Sequence, residues 1–162
     1  MKPIQVSTRV ERPRAEVFAF LDVLANHVAF TDHMLVDWSF SGPPAGVGAK
    51  AHFRANAPGP ESWADLEVIA AEPPVTTVEE TVGARGRRRT RGTYRLTELP
   101  SGGTEIAFQL EFLGLPPTER LAGPLLRAWL KRGNARAMRR LTALLAAPSA
   151  DAAVASAPSR AA

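Results

Sequence analysis

Residues 75–98 read VTTVEETVGARGRRRTRGTYRLTE. Two runs rich in Thr, Val and Tyr flank Ala84-Arg85-Gly86, and Gly86 suits the left-handed position of a short hairpin loop. The stretch therefore reads as two antiparallel strands, about 75–83 and 87–98, joined by a three-residue turn. A turn of that length pairs Val82 with Arg88, Thr81 with Arg89, Glu80 with Thr90, Glu79 with Arg91 and Val78 with Gly92. On this register Val78, Glu80 and Val82 face inward from one strand, and Arg88, Thr90, Tyr94 and Leu96 from the other. Arg87, Arg89, Arg91 and Arg95 then form a row of charges on the outer face.

The same alternation runs outward from the hairpin. Ile4, Val6, Thr8 and Val10 share one side of a first strand at 4–10. Residues 11–26 read as a helix with Pro13 near its first turn, where a missing N–H costs nothing, and 27–34 as a short helix or irregular turn. Further strands fall at about 35–41, 48–56, 62–71 and 104–113, set apart by the turn sequences GPPAGVG, APGPE, EPP and PSGG. Val36, Trp38 and Phe40 share a face, as do Ala51, Phe53 and Ala55, while Ile106, Phe108, Leu110 and Phe112 make the cleanest inward row. From about Pro117 a long helix carries the apolar stripe Leu126, Leu130, Ala137, Leu141 and Leu144, opposite a basic face. Gly123-Pro124 and Gly133 are its weak points. Residues 148–162, rich in Ala, Ser and Pro, read as a disordered tail behind a single domain at 1–147.

The order is thus strand, two short helices, six strands and one long helix. It describes an α+β protein: a seven-stranded curved antiparallel sheet wrapped around its C-terminal helix. Curvature holds such a helix off the centre of the strands, so a cavity between the two is expected. Several segments in this order also resemble the START/Bet v 1-like (SRPBCC) superfamily, in its polyketide cyclase/dehydrase and lipid transport branch. They are RVERPRAEVFAFLDVLANHVAFTDHM (9–34), GPPAGVGAKAHFR (42–54), VIAAEPP (68–74) and RGTYRLTELPSGGTEIAF (91–108), followed by the long helix. The resemblance spans about residues 3–146 and implies a helix-grip fold that encloses a hydrophobic pocket. Its members bind lipids, sterols or polyketides, and a minority catalyse cyclisation or dehydration.

Composition limits the alternatives. Hydrophobic residues make up 45% of the chain, there is no cysteine, and the start MKPIQVSTRV has no signal-peptide pattern, which together suggest a cytoplasmic globular protein. Residues 1–82 hold 6 Lys/Arg against 11 Asp/Glu, whereas 83–162 hold 14 against 5, an asymmetry that hints at an anionic partner. The basic helix lacks the interleaved aromatics that stack nucleic-acid bases, so nucleic acid is not the expected partner; an anionic lipid surface would suit the same charges.

The expected pocket is lined by Trp38, Phe40, Phe53, Val78, Glu80, Val82, Arg88, Thr90, Tyr94, Phe108, Leu110, Phe112 and Trp129. Within it Glu80, Thr90, Tyr94 and Arg88 form a polar group, and a buried Glu80 would need a partner, such as Arg132 or Arg136, or a raised pKa. His52 and Arg54 point outward by parity. A bulge would turn them in, where Arg54 could hold an enolate oxygen and His52 could carry a proton. His27, Asp32 and His33 lack metal-ligand spacing, and helix capping or surface exposure is the expected use of the histidines. The sequence offers no nucleophile motif and no phosphate loop in its proper setting, so neither cofactor nor metal is expected. Three readings stay open: a carrier of a small hydrophobic molecule, a polyketide aromatase/cyclase-like enzyme using the same cavity, and an interaction protein using its basic face.

Overall fold

The computed structural model describes residues 2–57 and 62–147. The expected tail and part of the APGPE turn lie outside the described residues. Strand β1 (Ile4–Val10) leads into helix α1 (Arg14–Leu21), a single turn of 3-10 helix (Leu24–Asn26) and α2 (His27–Thr31). Then come β2 (Leu35–Ser41), β3 (Lys50–Ala55), β4 (Ser62–Glu72), β5 (Thr76–Gly83), β6 (Arg88–Glu98) and β7 (Thr104–Gly114). The chain closes with α3 (Pro117–Leu121) and α4 (Gly123–Ala146). All seven strands form one antiparallel sheet in the order β1-β7-β6-β5-β4-β3-β2. The first strand returns to pair with the last, as the order of elements requires for a sheet that curls around one helix.

The hairpin register differs from the sequence-based expectation by one residue. Gly83 pairs with Arg88, Thr81 with Thr90, Glu80 with Arg91 and Glu79 with Gly92. Four residues, 84–87, therefore lie between the paired ends, and Ala84, Arg85 and Gly86 all adopt positive φ. Because side chains alternate, that extra residue inverts all of β5. Thr77, Glu79 and Gly83 are buried, while Val78, Glu80 and Val82 move to the outer face, against expectation. On β6 the inward row of Arg88, Thr90, Tyr94 and Leu96 stands as read, with Gly92 between Thr90 and Tyr94.

A second correction concerns β2. Its register shifts between Val36 and Ser39, where Asp37 takes a φ of 57°. Val36 lies opposite outward-facing Arg54, so it no longer shares a face with Trp38. The rings of Trp38 and Phe53 meet at 4.7 Å, and those of Trp38 and Phe40 at 5.7 Å.

Two apolar clusters fill the concave side. One joins α1, α2 and the C-terminal half of α4 to β6 and β7 through Phe18, Phe30, Tyr94, Phe108, Met138 and Leu141. The other lies under the 3-10 turn on β3 and β4, with Leu24, Ala51, Phe53, Leu66 and Val68. Helix α4 is continuous through Gly133, where a Cβ would come within 2.9 Å of the Met34 sulfur, so this glycine serves a close approach and not a kink. The break expected at Gly123-Pro124 is instead the junction of α3 and α4, with Pro124 in the first turn of α4.

Helix α4 approaches β1 and α2 most closely. Its C-terminal half buries Ala137, Met138, Leu141 and Leu145, whereas Leu126, Trp129 and Leu130 in the N-terminal half stay half-buried. The two halves should therefore respond differently to truncation. Leu141→Ala should cost about 3 kcal/mol, the usual cost of emptying a fully buried leucine site. Leu126→Ala should cost about 1 kcal/mol or less, since little area returns to water. Urea unfolding of both variants checks the difference.

Candidate functional site

No inward residue of β5 is a large apolar one. Thr77, Glu79, Thr81 and Gly83 face the helix side, next to Arg88, Thr90 and Gly92 of β6. Across the sheet this polar strip separates the two apolar clusters. The strip runs past the open half of α4, where Leu110 and Phe112 of β7 are also only half-buried despite pointing inward. Phe112 pairs with Thr90 and lines an open groove of about 500 Å³ between the end of β7 and the α3–α4 corner, with Leu115, Arg120, Gly123 and Arg127.

Glu79 stands at the centre of the strip. Val68 of β4 pairs with it on one side and Gly92 of β6 on the other, and Gly92 pairs in turn with Leu110. Only 7% of Glu79 is exposed, and its Oε2 has no hydrogen-bond partner. Burial pushes its pKa from an ordinary 4.5 to about 7. Gly92 is needed for room: a Cβ there would lie 2.8 Å from Glu79 Oε1 and 3.0 Å from Phe108 Cε2. Its φ is ordinary, so space and not backbone conformation demands the glycine.

A second buried titratable group, Tyr94, lies near Glu79, and a third, His27, packs against Tyr94. Burial raises the Tyr94 pKa well above the usual value, and the nearby Glu79 charge adds to the effect. The Tyr94 ring packs on Phe108 at 4.6 Å and edge-on to His27 at 5.7 Å. His27 is buried at the start of α2, and its Nε2–H donates to the Leu21 carbonyl at 2.8 Å. Desolvation lowers its pKa to about 4 although the Leu21 bond opposes the shift, so the ring is neutral at pH 7.

Arg88 closes the outer end of the strip. Its guanidinium makes a two-bond pair with Glu119 of α3, Nε to Oε2 at 2.8 Å and Nη2 to Oε1, and it also reaches the Ser62 hydroxyl. Helix α3 is thereby tied to the hairpin.

No known protein family and no curated protein matches the sequence. Solved structures do match. TTHA0849 from Thermus thermophilus superposes with a TM-score of 0.67 at 14% identity, covering 96% of this chain and 100% of that one. Ara h 8.0201 gives 0.60 at 13% identity over 89% of this chain and 97% of its own. DynU16, from the dynemicin biosynthetic locus, gives 0.62 at 21% identity, matching 90% of this chain but 47% of its own. The chain shares the fold of these structures, the helix-grip fold.

On this helix-grip frame the expected site residues scatter. Phe53, Phe108, Thr90 and Tyr94 are buried, Trp38, Leu110, Phe112, Arg88 and Trp129 are half-buried, and Phe40 is 45% exposed at the sheet edge. Glu80 leaves the interior altogether and pairs with Arg91 at 2.6 Å and Arg89 at 3.4 Å, which lowers its pKa, the Arg91 hydrogen bond being the main cause. His52 and Arg54 stay on the outer face, bonded to Asp65 and Asp37, and His52 stacks on Trp63 at 4.9 Å. Arg132 and Arg136 are exposed and supply no partner to a buried carboxylate. His27 is not a surface or capping residue, as expected from sequence, but a buried neutral one. His33 bonds the Gly133 carbonyl, and Asp32 pairs with Arg140. Sequence reasoning missed Glu79, Glu119 and Ser62. The adjacent pair Glu79-Glu80 was the available signal, because an alternating strand must send one of the two inward.

The buried carboxyl predicts a specific pH effect. Folded Glu79 holds its proton up to about pH 7, while the unfolded group releases it near 4.5, so its contribution to stability falls as pH rises between these values. Glu79→Gln has no such proton to lose. The stability of the variant relative to the parent should rise by about 3 kcal/mol from pH 4.5 to pH 7.5, read by chemical unfolding at each pH.

Proposed function

We propose that this protein binds a small hydrophobic molecule between the concave sheet and the N-terminal half of α4. The observation that carries this reading is the polar strip of β5 and β6 between two apolar clusters, beneath a helix half that does not settle onto it. A strand in the middle of a sheet normally turns apolar side chains to the core, since burying unpaired polar groups is costly. Here Thr77, Glu79, Thr81 and Thr90 take those places, while apolar surface flanks them on both sides. That arrangement suits a molecule with an apolar body and a polar substituent. The helix-grip neighbours, Ara h 8.0201 and DynU16 among them, support the same reading through their fold.

Arg88 orients the site in this scheme by holding α3 at its mouth, not by meeting the ligand. Catalysis in the manner of a polyketide cyclase is the second reading, favoured by one feature: a buried acid and a phenol, Glu79 and Tyr94, side by side in the interior. Contact with a membrane surface fits the corner of α3 and α4. Leu121 and Leu125 are 90% and 78% exposed there, beside the exposed Arg120, a combination suited to anionic lipid.

Native mass spectrometry of protein purified from its own host should show an added mass that denaturation releases, and 8-anilinonaphthalene-1-sulfonate should gain fluorescence that the released compound suppresses. Protein that is empty and also silent toward the dye would refute the pocket. Co-sedimentation with vesicles of phosphatidylserine and phosphatidylcholine should drop several-fold in Leu121→Ser/Leu125→Ser, and that of the parent should weaken as salt is raised. Equal sedimentation of parent and variant would remove the membrane contact.

A further inference from the structure

We infer that Glu79 is the recognition group of this pocket, acting as a neutral carboxylic acid that donates a hydrogen bond to an uncharged oxygen acceptor of the ligand, such as a ketone carbonyl. The inference rests on the proposed pocket and specifies the class of molecule that it takes.

Four observations support it. First, Glu79 Oε2 is buried without a partner, and a buried polar group left unpaired costs about 1–3 kcal/mol. A ligand acceptor would recover that cost. Second, Gly92, opposite Glu79, lets the carboxyl lie directly against the β6 backbone and so fixes its position, because a Cβ there would come within 2.8 Å of Oε1 and 3.0 Å of Phe108 Cε2. Third, the arginine closest along the strip is committed elsewhere, since Arg88 holds Glu119 and Ser62. It therefore does not neutralise Glu79, nor does it wait for an anionic ligand. Fourth, the raised pKa keeps a large share of the carboxyl protonated near neutrality, in the form that donates.

The surrounding charges fit a neutral ligand. From β6, Tyr94 and Arg88 face the same side as Glu79, with Tyr94 kept neutral by burial. Helix α2 contributes neutral His27 behind Tyr94, and α3 contributes Glu119, already paired with Arg88. The facing rows of β4 and β7 contribute Leu66, Val68, Leu110 and Phe112, none of which titrates. On α4 the half-buried residues are Leu126, Trp129 and Leu130 with Arg127, whose guanidinium bonds the Lys2 and Pro3 carbonyls; Lys131, Arg132 and Arg136 are exposed. A cationic ligand would have to shed its water to meet one buried carboxylate, which a neutral carbonyl avoids.

A matched pair of probes tests the assignment: 2-acetylnaphthalene, which carries the acceptor oxygen, and 2-ethylnaphthalene, which does not. At pH 5.5 the ketone should bind about tenfold more tightly than the hydrocarbon, the difference expected for one hydrogen bond to an otherwise orphaned donor. Raising the pH to 8.5 should abolish that preference, because the ionised carboxylate repels the carbonyl oxygen, and hydrocarbon affinity should hold. Glu79→Gln retains an N–H donor and should keep the preference at both pH values. Glu79→Leu should bind both probes equally, with hydrocarbon affinity and a cooperative unfolding transition verifying its fold. If the parent does not discriminate at pH 5.5, or if Glu79→Leu still prefers the ketone, the role of Glu79 is overturned while the pocket stands. A preference for 2-(aminomethyl)naphthalene that grows with pH would overturn it equally, in favour of a charged pair. Should neither naphthalene nor the anilinonaphthalene dye bind, the pocket itself is refuted and the inference falls with it.

Discussion

The pairing of Gly83 with Arg88 determines which side of β5 meets the interior, and most of what is distinctive here follows from it. The loop between them places Ala84 and Arg85, neither of them glycine, at φ values of 51° and 57°, a conformation that costs each about 1 kcal/mol. In return the strand sends Glu80 out to Arg89 and Arg91, and Glu79 in. A loop shorter by one residue would bury Glu80 and leave Glu79 among the outer arginines. Either way one carboxyl of the pair would be interior, so the acid inside is a consequence of two adjacent glutamates on a central strand. The loop selects which one, and therefore its neighbours: Gly92 and Val68 on its flanks and Tyr94 close by.

The inner strip that results is polar, and the buried titratable groups in and behind it are almost uncharged. They include an acid whose pKa is raised and a histidine whose pKa is lowered, each driven by loss of water. Their effects on stability oppose one another. Unfolded histidine takes up a proton below 6.5 that folded His27 refuses until about 4, so stability from this group is lost as pH falls through that window. Glu79 acts in the reverse sense, losing stability as pH rises from 4.5 to about 7. Over the shared range the two slopes have opposite signs and similar size, so the pair as a whole adds little pH dependence while each member adds a good deal.

Much of this could be read from the sequence. Alternation in Ile106–Phe112, turn chemistry at PSGG and GPPAGVG, and the long amphipathic segment after Pro117 were enough for seven antiparallel strands and a covering helix. The parity of β6 also held, because Tyr94 and Leu96 are apolar enough to mark their side. On β5 no such marker exists. Val78 and Val82 look like core residues, and the residues that actually face inward, Thr77, Glu79 and Thr81, look like surface. Periodicity assigns apolar residues to the inside, and it fails where the inside is polar. The strip is hidden from pattern reading by its own polarity. Arg88 was read correctly as inward, but its partner Glu119 lies 31 residues away on a helix of five residues, a distance that no local rule covers.

Helix α4 is supported unevenly. Its C-terminal half is wedged between β1 and α2, and at Gly133 it touches Met34 with no side chain between. Beyond that point toward the N-terminus it is less deeply packed, with Leu126, Trp129 and Leu130 half-buried, and the Arg88–Glu119 pair on α3 and the Arg127 bonds hold its tip. Ten residues of helix from Gly133 to Gly123 span about 15 Å, so a tilt of about 10° would lift the tip by roughly 3 Å. That is close to the thickness of an aromatic ring. In the proposed pocket the height over the polar strip is thus set by the angle of this helix half more than by the packing of the core, so molecules of different girth fit at little expense to the rest of the fold.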